Sequence, residues 1–386
     1  MASSKSLRIL YAAIDQTVPG TLGGSVHVRA VAEGLAALGH DVHTLVARGA
    51  EAWPPGPVRW HDVEAPGGRA QFRLLATREV TRITRAVAPD LVLERYHNFG
   101  GEGMLAARAV GAKYVLEVNA PVVDYPGSPK SRVDRALVVQ PMRRWRERQV
   151  RAADLIVSPS AQILPDWVPA DRVLEVEWGA DTVRFNPAAS GDVVWHRQQG
   201  GMAVVFAGAF RAWHGAAQLV EAVRLLRSRG ICDVQAVLIG DGPERAAVQE
   251  SSRGLDQVIF TGTVAHERMP TALSAADVGV APFDVERHPP LRLGFYWSPL
   301  KIFEYMASGL PVVAPALPRL RSIVRHEVEG VLYDPATPAA LADALASMRD
   351  PERRHRLGVA ARARAEREYS WRAHCAKLDE AFRGLF

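Results

Sequence analysis

Short apolar runs alternate with segments of helical periodicity along the whole chain. LRILYAAI is followed by VHVRAVAEGLAALGH, DVHTLVA, a longer helical stretch, DLVLERY, AARAV, KYVLEVN and DLIVSPS. The strand-like runs are almost continuously hydrophobic, as expected of strands covered on both faces, and their alternation with helices points to a parallel sheet. After the polar stretch FNPAASGD the order begins again with AVVFAGAF, DVQAVLIGDG, QVIFTGTV, DVGVAPF, LPVVAPA and GVLYD, separated by helical segments. Each half has its own first strand followed by a Gly-containing turn, which places a boundary near Asn186 to Gly201. The pattern predicts an α/β protein of two facing, doubly wound parallel-sheet domains, 1–188 and 189–367. Ligands should collect in the interdomain cleft, at the carboxyl ends of the strands. A final helix, 368–386, carries Trp371, Cys375, Leu378, Phe382 and Leu385 at helical spacing and should pack back on the first domain.

A length of 386 residues exceeds what one core usually supports, in keeping with two domains. No segment approaches the ~20 apolar residues of a membrane span. The first apolar run leads into a Gly-rich loop and not into a cleavage site, so it reads as a strand, and a soluble, cytoplasmic protein is expected. Cys232 and Cys375 are the only cysteines, without metal-ligand spacing, so neither a disulfide nor a zinc site is indicated and both read as packing residues. The net charge of +5 comes without a nucleic-acid-binding motif, so no nucleic-acid partner is expected. Lysine occurs only at Lys5, Lys113, Lys130, Lys301 and Lys377, against abundant Arg and Ala, the bias of a GC-rich bacterial genome. A lysine inside a motif is therefore more informative than any one arginine.

The strongest motif is SPLKIFEYMASGLPVVAP, Ser298 to Pro315. Ser298, Pro299 and Leu300 open a helix, Pro where its missing N–H costs nothing. Lys301 and Glu304 fall in the first turns, and Gly309 and Pro311 end the helix before a buried strand. A helix N-terminus offers free N–H groups and a positive dipole end to a phosphate, and Lys301 adds charge there. Glu304 can accept two hydrogen bonds from a ribose diol. Taken alone, the pair also suits an exposed surface helix; the surrounding string points to a site.

With these residues in view, the chain resembles the family 4 retaining glycosyltransferases of the GT-B fold, in which two Rossmann-like domains face each other. The resemblance runs over nearly the whole chain: GGSVHVRAVAEGLAALGHDVHTLVA, DLIVSPSAQ and EWGADTVRFNP in the first half, then VVFAGAFRAWHG, LIGDGPE, VIFTGTV and LSAADVGVAPF in the family's order. It implies a second domain that holds the nucleotide sugar and a first-domain loop that closes over the diphosphate. Gly23 and Gly24 would let the backbone approach that diphosphate, although an ordinary strand-to-helix turn explains them too. Gly208 would begin the phosphate-facing turn, Gly240 and Gly242 shape the next, and Thr261, Gly262 and Val264 match the base-binding edge.

Two departures stand out. In the family's G-R-x-x-x-x-K-G turn the Arg falls on Ala209 and the Lys on His214; Arg211 is the substitute expected, with His214 second. In the family's pair of glutamates, Glu304 fills the second position but Tyr296 stands at the first, and a phenol cannot act as a carboxylate on a sugar diol. The long loop DVERHPPLRLGFYW before the motif either contacts donor sugar or acceptor or is simply held by aromatic packing. At the strand ends of the first domain His97, Glu117 and Asn119 are candidates to orient acceptor or donor sugar, Asn119 standing where the family often has His. The helix 131–151, with Arg132, Arg135, Arg143, Arg144, Arg146, Arg148 and Arg151, is read as a solvated face before a membrane contact.

The resemblance implies a retaining transfer of sugar from a nucleotide diphosphate sugar to an acceptor hydroxyl, with a small-molecule or cell-envelope acceptor. Stabilising the departing diphosphate is its main demand. Arg211, Lys301 and helix N–H groups can meet it without a metal, and no cofactor beyond the nucleotide sugar co-substrate is expected. Two rivals are a nucleotide-sugar epimerase of the same fold and a non-catalytic two-domain sugar-binding protein.

Overall fold

The computed structural model describes residues 6–20, 22–125, 128–136, 140–337 and 339–386. Contacts divide the chain into two units: Met1–Trp178 with Tyr296–Ser298 and Trp371–Phe386, and Gly179–Phe295 with Pro299–Ser370.

The first unit is a seven-stranded parallel sheet of β1 (Arg8–Val18), β2 (Asp41–Arg48), β3 (Arg59–Asp62), β4 (Leu91–Arg95), β5 (Lys113–Glu117), β6 (Leu155–Ser158) and β7 (Val173–Glu175), ordered β3-β2-β1-β4-β5-β6-β7. The second is a six-stranded parallel sheet of β8 (Met202–Ala207), β9 (Val234–Ile239), β10 (Val258–Gly262), β11 (Val278–Val280), β12 (Val312–Pro315) and β13 (Gly330–Tyr333), ordered β10-β9-β8-β11-β12-β13. Strand order therefore reverses between β1 and β4 in one sheet and between β8 and β11 in the other. Such switch points open a crevice beyond the strands' carboxyl ends.

The interior strands β8 and β9 are buried at every position, so their apolar runs announce them. The edge strands β3 and β7 contain no fully buried residue, and no run in the sequence marked them. The helix Trp371–Arg383 places Leu378 and Phe382 in the same core as Ile9, Tyr11, Val28 and Leu35, with Trp371 and Leu385 packed against it. Cys375 is buried there, but Cys232, against the expectation of a packing residue, is exposed.

The expected helix 131–151 is two helices, Pro129–Ala136 and Pro141–Ala152, with residues 137–139 outside the described ones. Arg132, Arg135, Arg143, Arg144, Arg148 and Arg151 are exposed. Arg146 is not part of that solvated face: it is buried and donates to both carboxylate oxygens of Asp124 at 2.9 and 3.2 Å. Among the described residues no helix is long and apolar enough to cross a membrane.

Candidate functional site

In the second unit the turns after β8, β9 and β10 form one hydrogen-bonded ladder. Gly208 N–H donates to the Ile239 carbonyl at 2.9 Å, Phe210 N–H to Asp241 at 2.9 Å, and Gly240 N–H to Gly262 at 2.8 Å. The glycines are there because the turns touch. A Cβ on Gly240 would strike the Gly208 carbonyl, and one on Gly242 would lie 2.7 Å from the Phe210 nitrogen. Gly240 and Gly242 thus have a packing reason for lacking a side chain. Thr261 donates its hydroxyl to the Gly262 carbonyl at 2.9 Å, and Val264 is half-buried beside that end of the edge.

Gly208 has a different neighbour. Its φ is +147°, and a Cβ would lie 2.8 Å from Lys301 Nζ. Lys301 and Glu304 stand on the helix Leu300–Ala307, which Pro299 caps and Gly309, at φ +74°, ends. The Lys301 ammonium is buried, has no hydrogen-bond partner, and lies over the Phe206 ring at 4.3 Å and the Phe283 ring at 5.2 Å from their centroids. Burial lowers its pKa to about 7, with Glu304 pulling the other way. Burial likewise raises Glu304 to about 7, opposed by the charges of Lys301 and Arg184. A buried, unpartnered ammonium is costly, and an arriving anion would remove that cost.

What holds this helix in place is Tyr305, which sequence reasoning passed over. Its hydroxyl accepts the Ala207 N–H at 2.7 Å and donates to the Val280 carbonyl at 3.5 Å, joining the ends of β8 and β11 at the switch point. Its ring fills the space that Gly279 leaves by having no Cβ. Tyr305 stands one position beyond Glu304, on the side of the helix turned into the sheet.

Arg211 is exposed in the same loop. His214 is not the second cation expected of it. Burial first, then Lys301, lower its pKa to about 3, so it is neutral, and its Nδ1–H is committed to the Ala209 carbonyl. Trp213 packs against it at 3.9 Å and against Phe283 at 6.1 Å, while Phe283 meets Phe295 at 4.8 Å. Within the loop 284–297, aromatic packing therefore holds Phe295, through Phe283, and His288, which meets Trp213 at 5.6 Å.

In the first unit, Glu117 at the end of β5 is the centre of a buried cluster. It accepts hydrogen bonds from the Tyr11 hydroxyl, from His27 Nε2 and, at 3.0 Å, from Asn119 Nδ2. Burial alone would raise its pKa, but His27, Arg95 and these hydrogen bonds hold the carboxyl well below the usual range. The Asn119 carbonyl accepts the Trp178 indole N–H at 3.0 Å, and Trp178 stacks on His27 at 4.2 Å. An asparagine fits here because it donates to a carboxylate and accepts from an indole at once. His97 lies apart in the turn after β4, its Nδ1 accepting the Phe99 N–H at 3.2 Å. Gly23 and Gly24 begin the helix Gly23–Ala37, which has no side-chain cap. Tyr296 is buried in this first unit, with burial raising its phenol pKa. Ser298 belongs there too: its hydroxyl donates to Glu177 at 2.6 Å and accepts the Trp178 N–H at 3.0 Å.

Residues 23–173 match the glycosyl transferase 4-like domain, and residues 201–350 match the glycosyl transferases group 1 domain, one on each sheet. The D-inositol 3-phosphate glycosyltransferase of Xylanimonas cellulosilytica is 28% identical over 409 residues, covering 95% of this chain and 93% of that one. The sulfoquinovosyl transferase of Arabidopsis thaliana is 30% identical over 241 residues, 59% of this chain and 44% of that protein. Anabaena HepE, solved in complex with UDP and glucose, superposes with a TM-score of 0.69 at 18% identity, covering 98% of this chain and all of that one. The chain belongs to the family 4 glycosyltransferases of the GT-B fold, and it is a transferase.

Proposed function

We propose that the protein transfers a sugar from a nucleotide diphosphate sugar to an acceptor hydroxyl with retention of anomeric configuration and without a metal. The observation that carries this reading is the buried, unpartnered Lys301 ammonium beside Gly208, with Glu304 one turn further along the same helix. The diphosphate lies against Lys301 and the turn at Gly208, with exposed Arg211 adding charge, and Glu304 accepts hydrogen bonds from the ribose diol. The bond between the anomeric carbon and the diphosphate oxygen breaks as the acceptor oxygen bonds the same face of that carbon. The acceptor's proton passes to a donor phosphate oxygen, so no strong protein base is needed and Asn119 is tolerated. The charge growing on the leaving diphosphate is met by cations already in place. HepE's complex with UDP and glucose makes UDP the first nucleotide to try, and the inositol phosphate relative makes a small polar acceptor the first class. Calorimetric titration of UDP, GDP, ADP and TDP tests the reading. One of them should bind, Glu304→Ala should weaken it by about 1.5–3 kcal/mol, and turnover should survive EDTA. Equal affinity in the variant, or turnover lost to EDTA and restored by Mn²⁺, would overturn it.

A further inference from the structure

The switch point of the first sheet holds a charge that no internal hydrogen bond uses. Arg95 is the last residue of β4, where strand order reverses between β1 and β4. Its side chain is only 12% exposed. Nη1 is buried without a hydrogen-bond partner, and its remaining N–H groups have none among the described residues. The nearest acid does not use it: Arg95 Nη1 stands 3.9 Å from Glu117, whose oxygens are already taken by Tyr11, His27 and Asn119. Arg95 therefore balances the Glu117 charge while its five N–H donors remain available. The Trp178 ring lies 5.7 Å from the guanidinium carbon and holds its position.

The start of the helix at Gly24 lies beside this fork: Nη2 is 3.5 Å, an ordinary contact distance, from where a Cβ of Gly24 would stand, and it is Gln16 Oε1 that such a Cβ would strike. A buried guanidinium with unfilled donors, next to uncapped backbone N–H groups, suits a group with several anionic oxygens.

We infer that Arg95 is an oxyanion-binding residue of the first unit, taking a phosphoryl group with its guanidinium fork. The site is a property of the first unit alone and does not rest on the function proposed above.

The test is calorimetric titration of the full-length protein with inorganic pyrophosphate and, separately, with the nucleoside diphosphate it prefers. In a Lys301→Met background pyrophosphate should still bind, and adding Arg95→Gln should weaken it about tenfold or more. Arg95→Lys keeps the charge opposite Glu117 but loses the fork, so it should fold as the wild type, by its melting curve, and still bind pyrophosphate more weakly. A Lys301→Met protein that binds no pyrophosphate, or Arg95 variants that bind it as well as their parent, would overturn the inference. If Arg95→Gln alone also weakens the nucleoside diphosphate, the phosphoryl group that Arg95 takes is a nucleotide's; if it weakens only pyrophosphate, it is another ligand's. Failure of the functional reading would look different, with no nucleoside diphosphate binding the wild type, or one binding it and the Lys301→Met protein equally.

Discussion

Raising the pH through neutrality should release a nucleoside diphosphate from the wild-type protein, because the charge that holds it is lost. Burial holds Lys301 at about 7 in the free protein, so its ammonium is present below that value and gone above it. A bound anion favours the charged form, so binding above pH 7 must take up a proton. Each pH unit then costs about 1.36 kcal/mol, or about tenfold in affinity, roughly a hundredfold between pH 7 and 9. Glu304 works in the opposite sense. Burial raises it to about 7, so below that it is neutral and accepts the ribose hydrogens less well. The two titrate as a pair, and affinity should be greatest near pH 7. Calorimetry in buffers of different ionisation heat reads both affinity and proton uptake. Lys301→Met should remove the alkaline limb, and Glu304→Gln should shrink the acid limb to whatever the nucleotide's own phosphate contributes. A flat affinity from pH 6 to 9 in the wild type, or an alkaline limb that survives Lys301→Met, would refute the assignment.

Two further outcomes follow from buried contacts. Tyr305→Phe leaves the Ala207 N–H without its partner at the switch point; it should cost about 1–3 kcal/mol in urea unfolding and weaken nucleotide binding by loosening the helix that carries Lys301. Arg73 is fully buried and donates to Glu102 at 2.8 Å and to Asp15 at 2.7 Å; Arg73→Leu strands both acids and should cost about 3–5 kcal/mol, where a loss under 1 kcal/mol would show that the acids protonate without penalty.

The six strands of the second sheet and five of the seven in the first were legible as apolar runs, most because they are buried on both faces, and the edge strand β10 because VIF is apolar although none of its residues is fully buried. The edge strands β3 and β7 of the first sheet were not, since RWHD and VLE are short and offer no buried run. Lys301 could be singled out because lysine is scarce in this chain, and Glu304 by the string SPLKIFEYMASG around it. The same bias hid Arg73, Arg95 and Arg146, which look like any other arginine until burial separates them. Tyr305 lay inside the strongest motif and was unreadable for another reason: its role is a hydrogen bond to a strand 98 residues away in sequence. His214, matched to a family lysine by position, turned out neutral because the loop buries it beside Lys301.

Retention, the proposed outcome of transfer from a nucleotide diphosphate sugar, is read from the anomeric configuration of the product. An α-linked donor of the preferred nucleotide, incubated with the protein in EDTA and followed by proton NMR from the first minutes, should yield an α-configured sugar. With water as acceptor that is the α-hexose, seen before it mutarotates. Lys301→Met should form it far more slowly. A β-configured first product would show inversion, and an unchanged rate in the variant would remove Lys301 from the reaction.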